Sequence, residues 1–213
     1  MIRAYNESYL TDAKETLSQF FDYLINDCGM SADWASAIFV SSGYAERFER
    51  GNPSVLAGMS GIELARAVVS ESYREKELPE PRYTDGLSPE YWAGWALAEY
   101  QWYSGKRFAE IFRRVKLSEI IEMYSVYHEM DISKFISAME ERCASVVLPS
   151  KLKALRENRN ISQSELSTLS GVKLRSIQMY EQGINDINKA QAETVYRLSR
   201  AIGCSVEDLL EGC

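Results

Sequence analysis

Between residues 174 and 179 the chain sets an arginine, a glutamine and two apolar side chains, Leu174, Arg175, Gln178 and Met179, one and four apart. On a helix such positions share a face, with Ile177 and Tyr180 opposite. The chemistry open to that face is the reading of base edges. An arginine fork donates two parallel hydrogen bonds to guanine O6 and N7. A glutamine amide pairs with adenine N6 and N7, and Leu or Met packs on a thymine methyl. The surrounding stretch, residues 162–183, SQSELSTLSGVKLRSIQMYEQG, reads as helix, tight turn and second helix. A unit of that kind lays one short helix into the major groove of DNA.

Two other constellations carry less. His128 stands beside Glu129 and Asp131 and is the only histidine. Neighbours i and i+1 do not share a helix face, and no second histidine completes a common zinc or iron set, so it reads as a hydrogen-bonded or half-exposed side chain. Tyr91, Trp92, Trp95, Tyr100, Trp102 and Tyr103 run nearly all round one helix. That pattern reads as a central core helix, with an aromatic ligand pocket beside Trp95, Glu99 and Trp102 as the sharper alternative. A buried Glu99 would need a partner such as an arginine. The chain has no glycine-rich phosphate loop, no HExxH, no GxSxG and no Cys/His nucleophile pair. No catalytic residue, metal or cofactor is expected, and the chain reads as a non-enzyme.

The elements that position the 174–179 face follow from periodicity and caps. Over the first 148 residues the spacing is helical and no stretch alternates like a strand. One helix is expected from about Glu7 to Asn26, stopped by Gly29. Ser31 caps Ala32–Ser41, then come Tyr44–Glu49 and a turn at Gly51-Asn52-Pro53. Ser60 and Glu63 have capping-box spacing before the next helix. EKELPEPRYTDGL, residues 75–87, is the most loop-like segment. Ser88-Pro89-Glu90 opens the aromatic helix, Tyr91 to Tyr103. Phe108, Ile111, Phe112 and Val115 mark another helix, Ser118 is read as the cap of Glu119–Tyr124, and Asp131 caps the helix through Cys143.

Residues 145–150 form a very short connection. A helix from Ser150 turns Leu152 and Leu155 inward. Ser162 and Glu165 form a second capping box, and Leu166 and Leu169 are expected to face in. Gly171 frees the turn, Val172 packs in its corner, and Gly183 closes the helix Lys173–Gln182. A fourth helix is expected over Ala190–Ile202, and Ser205 caps a last one with Val206, Leu209 and Leu210. The reading is all-α: an acidic, aromatic-rich helical domain, 1–147, and a compact five-helix domain, 148–213.

Charge follows the same division. Of 213 residues, 24 are Lys or Arg and 31 Asp or Glu, a net of −7. Residues 1–148 hold 15 basic against 23 acidic residues, a net of −8, whereas 149–183 hold 6 against 3, a net of +3. A phosphate-facing surface needs positive charge locally, not over the whole chain. No apolar run approaches the roughly 20 residues of a membrane span. The N-terminus lacks a basic segment followed by an apolar one, so no signal peptide is expected. Cys28, Cys143, Cys204 and Cys213 have no metal-finger or CxxC spacing and are read as reduced thiols in the cytoplasm.

Leu152-Lys-x-Leu155-Arg156, Ile161-Ser-Gln163-x-Glu165-Leu166, Ser170-Gly171-Val172, Ser176-Ile177, Tyr180-Glu181-x-Gly183 and the run from Leu198 to Leu210 recur in one order. On these residues the C-terminal domain resembles the phage-repressor (Cro/cI, XRE) helix-turn-helix family, with a lambda-repressor-like fold. The resemblance implies that Gln163 holds a DNA phosphate and braces the recognition helix. It implies that Lys173, Leu174, Arg175, Gln178 and Met179 touch base edges or nearby backbone, and that Gln182 contacts phosphate. Arg156 and Arg159 would meet phosphates or stay solvated, and Glu181 would be structural, pairing with a nearby arginine. Lys173 stands where the family usually has Ser or Thr, which removes an N-cap. Ser167 and Ser199 stand where it often has Ala, as small tolerated swaps. The N-terminal region resembles an uncharacterised helical region fused to such domains in Gram-positive gut bacteria.

Three functions compete. The first is a sequence-specific double-stranded DNA-binding transcriptional regulator, most often a repressor in this family. It would act as a homodimer on a dyad-symmetric operator with half-sites roughly 34 Å apart. The second is an antitoxin-type interaction module whose N-terminal domain covers a protein partner while the helix-turn-helix autoregulates the operon. The third is a small-molecule sensor built on the Trp-rich helix 91–103. Some helix-turn-helix domains serve assembly alone; the local positive charge and the polar face with Arg175 and Gln178 favour DNA.

Overall fold

A computed structural model describes residues 3–72, 78–82, 88–146 and 149–210. Most of the expected loop at 75–87 lies outside the described residues. So do residues 147 and 148 of the connection, and Cys213. Among the described residues every regular element is helical. No helix of the described residues is long and apolar enough to cross a membrane. The chain divides into two compact units, Met1–Val146 and Val147–Cys213.

The N-terminal unit holds ten helices among its described residues: α1 (Leu10–Asp22), α2 (Ala32–Ser41), α3 (Tyr44–Glu49), α4 (Pro53–Leu56), α5 (Gly61–Ser72), α6 (Pro89–Ser104), α7 (Phe108–Arg114), α8 (Leu117–Glu122), α9 (Tyr124–Tyr127) and α10 (Ile132–Ser145). Its axis is α1, which packs along α6 and α5. Ala13, Leu17, Phe20 and Phe21 recur at three and four and are fully buried. Across the contact Gly94 faces the α1 backbone, where a Cβ would collide with the Leu17 carbonyl. The missing side chain lets the two helices approach closely. Phe20, Phe21, Phe39, Phe48, Phe108 and Phe112 then pack mainly edge to face, with centroids 4.9 to 6.4 Å apart. That is the favoured geometry for ring quadrupoles, and each pair adds about 0.5–1.5 kcal/mol beyond area burial.

The aromatic helix α6 is a core helix. Trp92, Tyr100 and Trp102 are buried. Trp102 Nε1 donates to the Tyr5 carbonyl at 2.9 Å, and the Tyr100 hydroxyl donates to Glu140 at 2.8 Å. Glu99 pairs at 2.7 Å with a lysine, Lys14, not an arginine, and the same ammonium lies 3.9 Å over the Trp95 ring. Trp92, Tyr100 and Trp102 are thus engaged in packing, while Tyr91, Trp95 and Tyr103 are half-buried. His128 stacks on Tyr124 at 4.3 Å and its Nδ1 bonds the Tyr124 carbonyl at 2.7 Å. No group of three metal-ligating side chains forms among the described residues.

The caps at Ser31, Ser60, Ser88 and Asp131 form where the sequence sets them. Three expectations change. The first helix ends in a π-helical turn, Tyr23–Asp27, closed by the Cys28 amide on the Tyr23 carbonyl at 3.0 Å. Pro53 starts the additional short helix α4, with Asn52 as its cap. Ser118 is not a cap: α8 begins at Leu117, where Glu119 accepts from the Lys116 amide at 2.8 Å. The Ser118 amide and hydroxyl both donate to Asp33 on α2.

The C-terminal unit comprises α11 (Lys151–Asn158), α12 (Gln163–Ser170), α13 (Leu174–Glu181), α14 (Ala192–Ile202) and α15 (Val206–Leu209). Leu152, Leu166, Val172, Ile177, Ile187, Val195, Leu198, Ile202 and Leu209 form its core. A 3-10 turn at Ile187–Lys189, capped by Asp186, precedes α14 and delays its start to Ala192. Leu169 does not face in: it is 64% exposed. The inward arc of α12 is set by Leu166 and Ser170, four apart. Leu169 falls about 60° beyond Leu166 on the other side. Cys28, Cys143 and Cys204 take part in no disulfide.

Candidate nucleic-acid interface

The local sequence of 162–183 builds a rigid corner. The Ser162 hydroxyl accepts from the Glu165 amide at 3.1 Å and Glu165 accepts from the Ser162 amide at 2.7 Å, satisfying donors at the start of α12. The Ser162 hydroxyl and amide hold the Glu165 carboxyl below its ordinary range. At the other end Gly171 adopts φ +68°, a left-handed conformation that a side chain would strain. Two serines then lock the turn. Ser170 Oγ accepts from the Val172 amide at 3.2 Å and donates to the Leu166 carbonyl at 2.6 Å. Ser167 Oγ donates to the Val172 carbonyl at 2.7 Å. Ser167 is therefore a pin of the turn, where its small size alone had suggested a neutral swap for alanine.

Helix α13 leaves this corner with Lys173 as its N-cap residue and no side-chain cap, as the missing Ser or Thr implies. Ile177 and Glu181 are its buried positions. At about 100° per residue, Leu174, Gln178, Gln182, Arg175 and Met179 follow one another round an arc of roughly 140° that begins about 20° from Glu181 and leads away from Ile177. Leu174, Arg175 and Gln182 are exposed, while Gln178 and Met179 are half-buried. The face is thus open at three positions and partly covered at two. Lys173, just before it, is exposed as well. Neither Lys173 nor Arg175 forms an ion pair among the described residues, so both cations face solvent uncompensated. The chain after Gly183 folds back, and the Ile184 and Asn185 amides donate to the Met179 carbonyl at 3.0 and 3.1 Å.

What holds α13 from behind is a buried polar cluster. Arg156 Nε donates to Glu181 Oε1 at 2.6 Å and its Nη2 to Oε2 at 2.9 Å. Gln163 Nε2 donates to the same Oε2 at 2.7 Å. Arg156 Nη1 closes on the Ile161 carbonyl at 2.7 Å. One carboxylate thereby links α11, α12 and α13. Arg156 is 8% exposed and Glu181 7%. The Glu181 carboxylate raises the Arg156 guanidinium above its usual range, so the guanidinium stays charged.

Arg156 is thus a buried structural cation, neither solvated nor turned to phosphate. A reach toward Glu181 was visible only from the glutamate's side. Arg159 stays exposed, and its Nη2 donates to the Gly203 carbonyl at 3.0 Å, tying the end of α11 to the end of α14. Gln163 sits apart from the α13 arc, at the first position of α12, with its amide engaged on Glu181.

The geometry is that of two helices at a glycine turn with the second presenting a polar face. Residues 152–209 match the model of the helix-turn-helix family, HTH_3. The C-terminal unit therefore carries a helix-turn-helix domain of the XRE type, the type found in DNA-binding regulators. Neither a curated protein nor a solved structure matches the chain.

Proposed function

We propose that the protein is a sequence-specific transcriptional repressor of the cytoplasm that reads double-stranded DNA with α13 in the major groove. The observation that carries this reading is the exposed arc of Leu174, Arg175 and Gln182, backed by the buried Arg156–Glu181–Gln163 cluster. Arg175 donates to a guanine, Gln178 pairs with an adenine, and Leu174 and Met179 contact thymine methyls. Lys173 and Gln182 bind phosphate, and Gln163 reaches phosphate with what its bond to Glu181 leaves free. The protein acts as a homodimer on a palindromic operator, and the exposed Leu169, Ile184 and Tyr196 offer apolar surface to a second copy. The N-terminal unit serves the partner, oligomerisation or sensing role, and no catalytic step is assigned.

The test is fluorescence anisotropy with duplexes tiled across the protein's own promoter, each against a shuffled duplex of equal length. The reading requires one dyad-symmetric site bound about 10³-fold or more tighter than the shuffled DNA. Equal binding to all duplexes refutes it.

A further inference from the structure

An apolar groove of about 530 Å³ runs between α2 and α7 in the N-terminal unit. Ala37 and Val40 of α2 and Ala109 and Phe112 of α7 line it, and Arg113 and Lys116 stand at its rim. The size falls within the range of small-molecule sites, which are mostly apolar with a few polar anchors. The two alanines open it: larger side chains at 37 and 109 would fill it. Phe112 continues the wall into the core, 6.4 Å edge-on from Phe21 and stacked 6.1 Å from Phe108.

The polar groups at the rim differ in their availability. Asp33 Oδ1 already accepts from the Ser118 amide at 3.2 Å and hydroxyl at 2.9 Å. Ser36 and Ser41 donate to the carbonyls of Asp33 and Ile38. Arg113 and Lys116 are exposed and form no ion pair among the described residues. The lining thus carries two cations, Arg113 and Lys116, against the one carboxylate of Asp33, and is net positive in a unit whose overall charge is negative.

The same helix reaches the end of the unit. Arg114, next to Arg113, donates from Nη1 to the Cys143 carbonyl at 2.8 Å and to the Val146 carbonyl at 3.3 Å. Those carbonyls lie where α10 ends and where the N-terminal unit gives way to the C-terminal one. Arg114 Nε is buried without a hydrogen-bond partner. It lies 3.6 Å from Glu110 Oε1, one turn back on α7, as an ion pair.

We propose that the groove between α2 and α7 binds a small amphipathic anion, and that α7 transmits occupancy through Arg114 to the C-terminal end of α10. The apolar body lies along Ala37, Val40, Ala109 and Phe112, and the acid head sits at Arg113 and Lys116. The regulatory consequence, altered operator affinity, rests on the DNA-binding reading; the site and its effect on α10 do not.

Calorimetric titration of the full chain with sodium octanoate, octan-1-ol and octyltrimethylammonium tests the site. Octanoate saturates at one per chain, and the alcohol and the cation bind about ten-fold or more weakly. Ala109→Trp fills the groove and abolishes the octanoate signal with an unchanged thermal melt. The double variant Arg113→Ala, Lys116→Ala weakens octanoate about ten-fold and leaves octan-1-ol unchanged. No saturable binding of octanoate, equal affinity for the cation, or full binding by Ala109→Trp overturns the site; a protein segment as the true occupant would give the first of these. Transmission is read without DNA, by amide hydrogen exchange over residues 140–146. Octanoate changes protection there in the parent chain and not in Ala109→Trp, and unchanged exchange overturns it. With operator DNA, octanoate then shifts affinity about five-fold or more. If no duplex is bound specifically while both other readouts hold, the DNA reading fails and the groove stands.

Discussion

Arg156 and Glu181 stand 25 residues apart in the chain and close a bidentate ion pair at 2.6 and 2.9 Å, both nearly shut off from solvent. The pair fixes the end of α13 to α11. Removing one partner leaves the other charge buried, so Glu181→Ala and Arg156→Ala each cost about 3–5 kcal/mol. Replacing both by Leu and Met costs less than either single change. All four tryptophans lie in the first 102 residues. Tryptophan fluorescence therefore reports the N-terminal unit alone, and far-UV circular dichroism both. In urea the single variants should shift the circular-dichroism midpoint and leave the fluorescence midpoint in place.

Arg175 and Lys173 should fail differently. Arg175→Ala is expected to cost about 1–3 kcal/mol at the operator and to relax preference at one base pair. Lys173→Ala should weaken operator and shuffled DNA alike and lower the slope of log affinity against log salt by about 1. Anisotropy titrations at several salt concentrations separate the two.

Ser167→Ala removes the bond to the Val172 carbonyl and should lower stability by about 0.5–1.5 kcal/mol. A shift confined to the circular-dichroism midpoint is the expected result. No change would mean that Gly171 and Ser170 hold the turn by themselves.

Acid should loosen the C-terminal unit. Bonds from Ser162 hold Glu165 below its ordinary range, and bonds from Ser205 do the same for Asp208. In that window the unfolded chain binds more protons than the folded one. The stability these caps give is complete above the ordinary carboxylate value of about 4 and is lost as pH falls through the lower folded values. Urea midpoints by circular dichroism at stepped pH should fall below about pH 4, and less steeply for the double variant Glu165→Gln, Asp208→Asn.

The helices were legible where a cap or a period marked them. Ser31, Ser162 and Ser205 announce their helices because a hydroxyl three residues ahead of an amide has one dominant use. Gly171 announced the corner through its left-handed backbone. Leu169 and Arg156 run against what periodicity expects of them. Periodicity ranks a leucine as inward and an arginine as outward, but the rotation of α12 depends on what Ser170 does in the turn, and Arg156 is drawn in by a carboxylate 25 residues away. The groove at Ala37 and Ala109 had no signal at all, because two exposed alanines on separate helices look like ordinary helix formers. Ser118 and Asp33 meet across 85 residues, which no local rule anticipates.

The pairing of α1 with α6 also has a consequence in time. Lys14 meets Glu99 across 85 positions, whereas the ties that fix the helix-turn-helix corner span about 25 or fewer. Closing a long loop delays the first native contacts of the N-terminal unit, while the C-terminal corner forms from near neighbours. During synthesis α1 must wait for the chain to reach Ser104 before its central partner exists. On refolding from urea, a part of the circular-dichroism signal should therefore recover ahead of tryptophan fluorescence, and the rest with it.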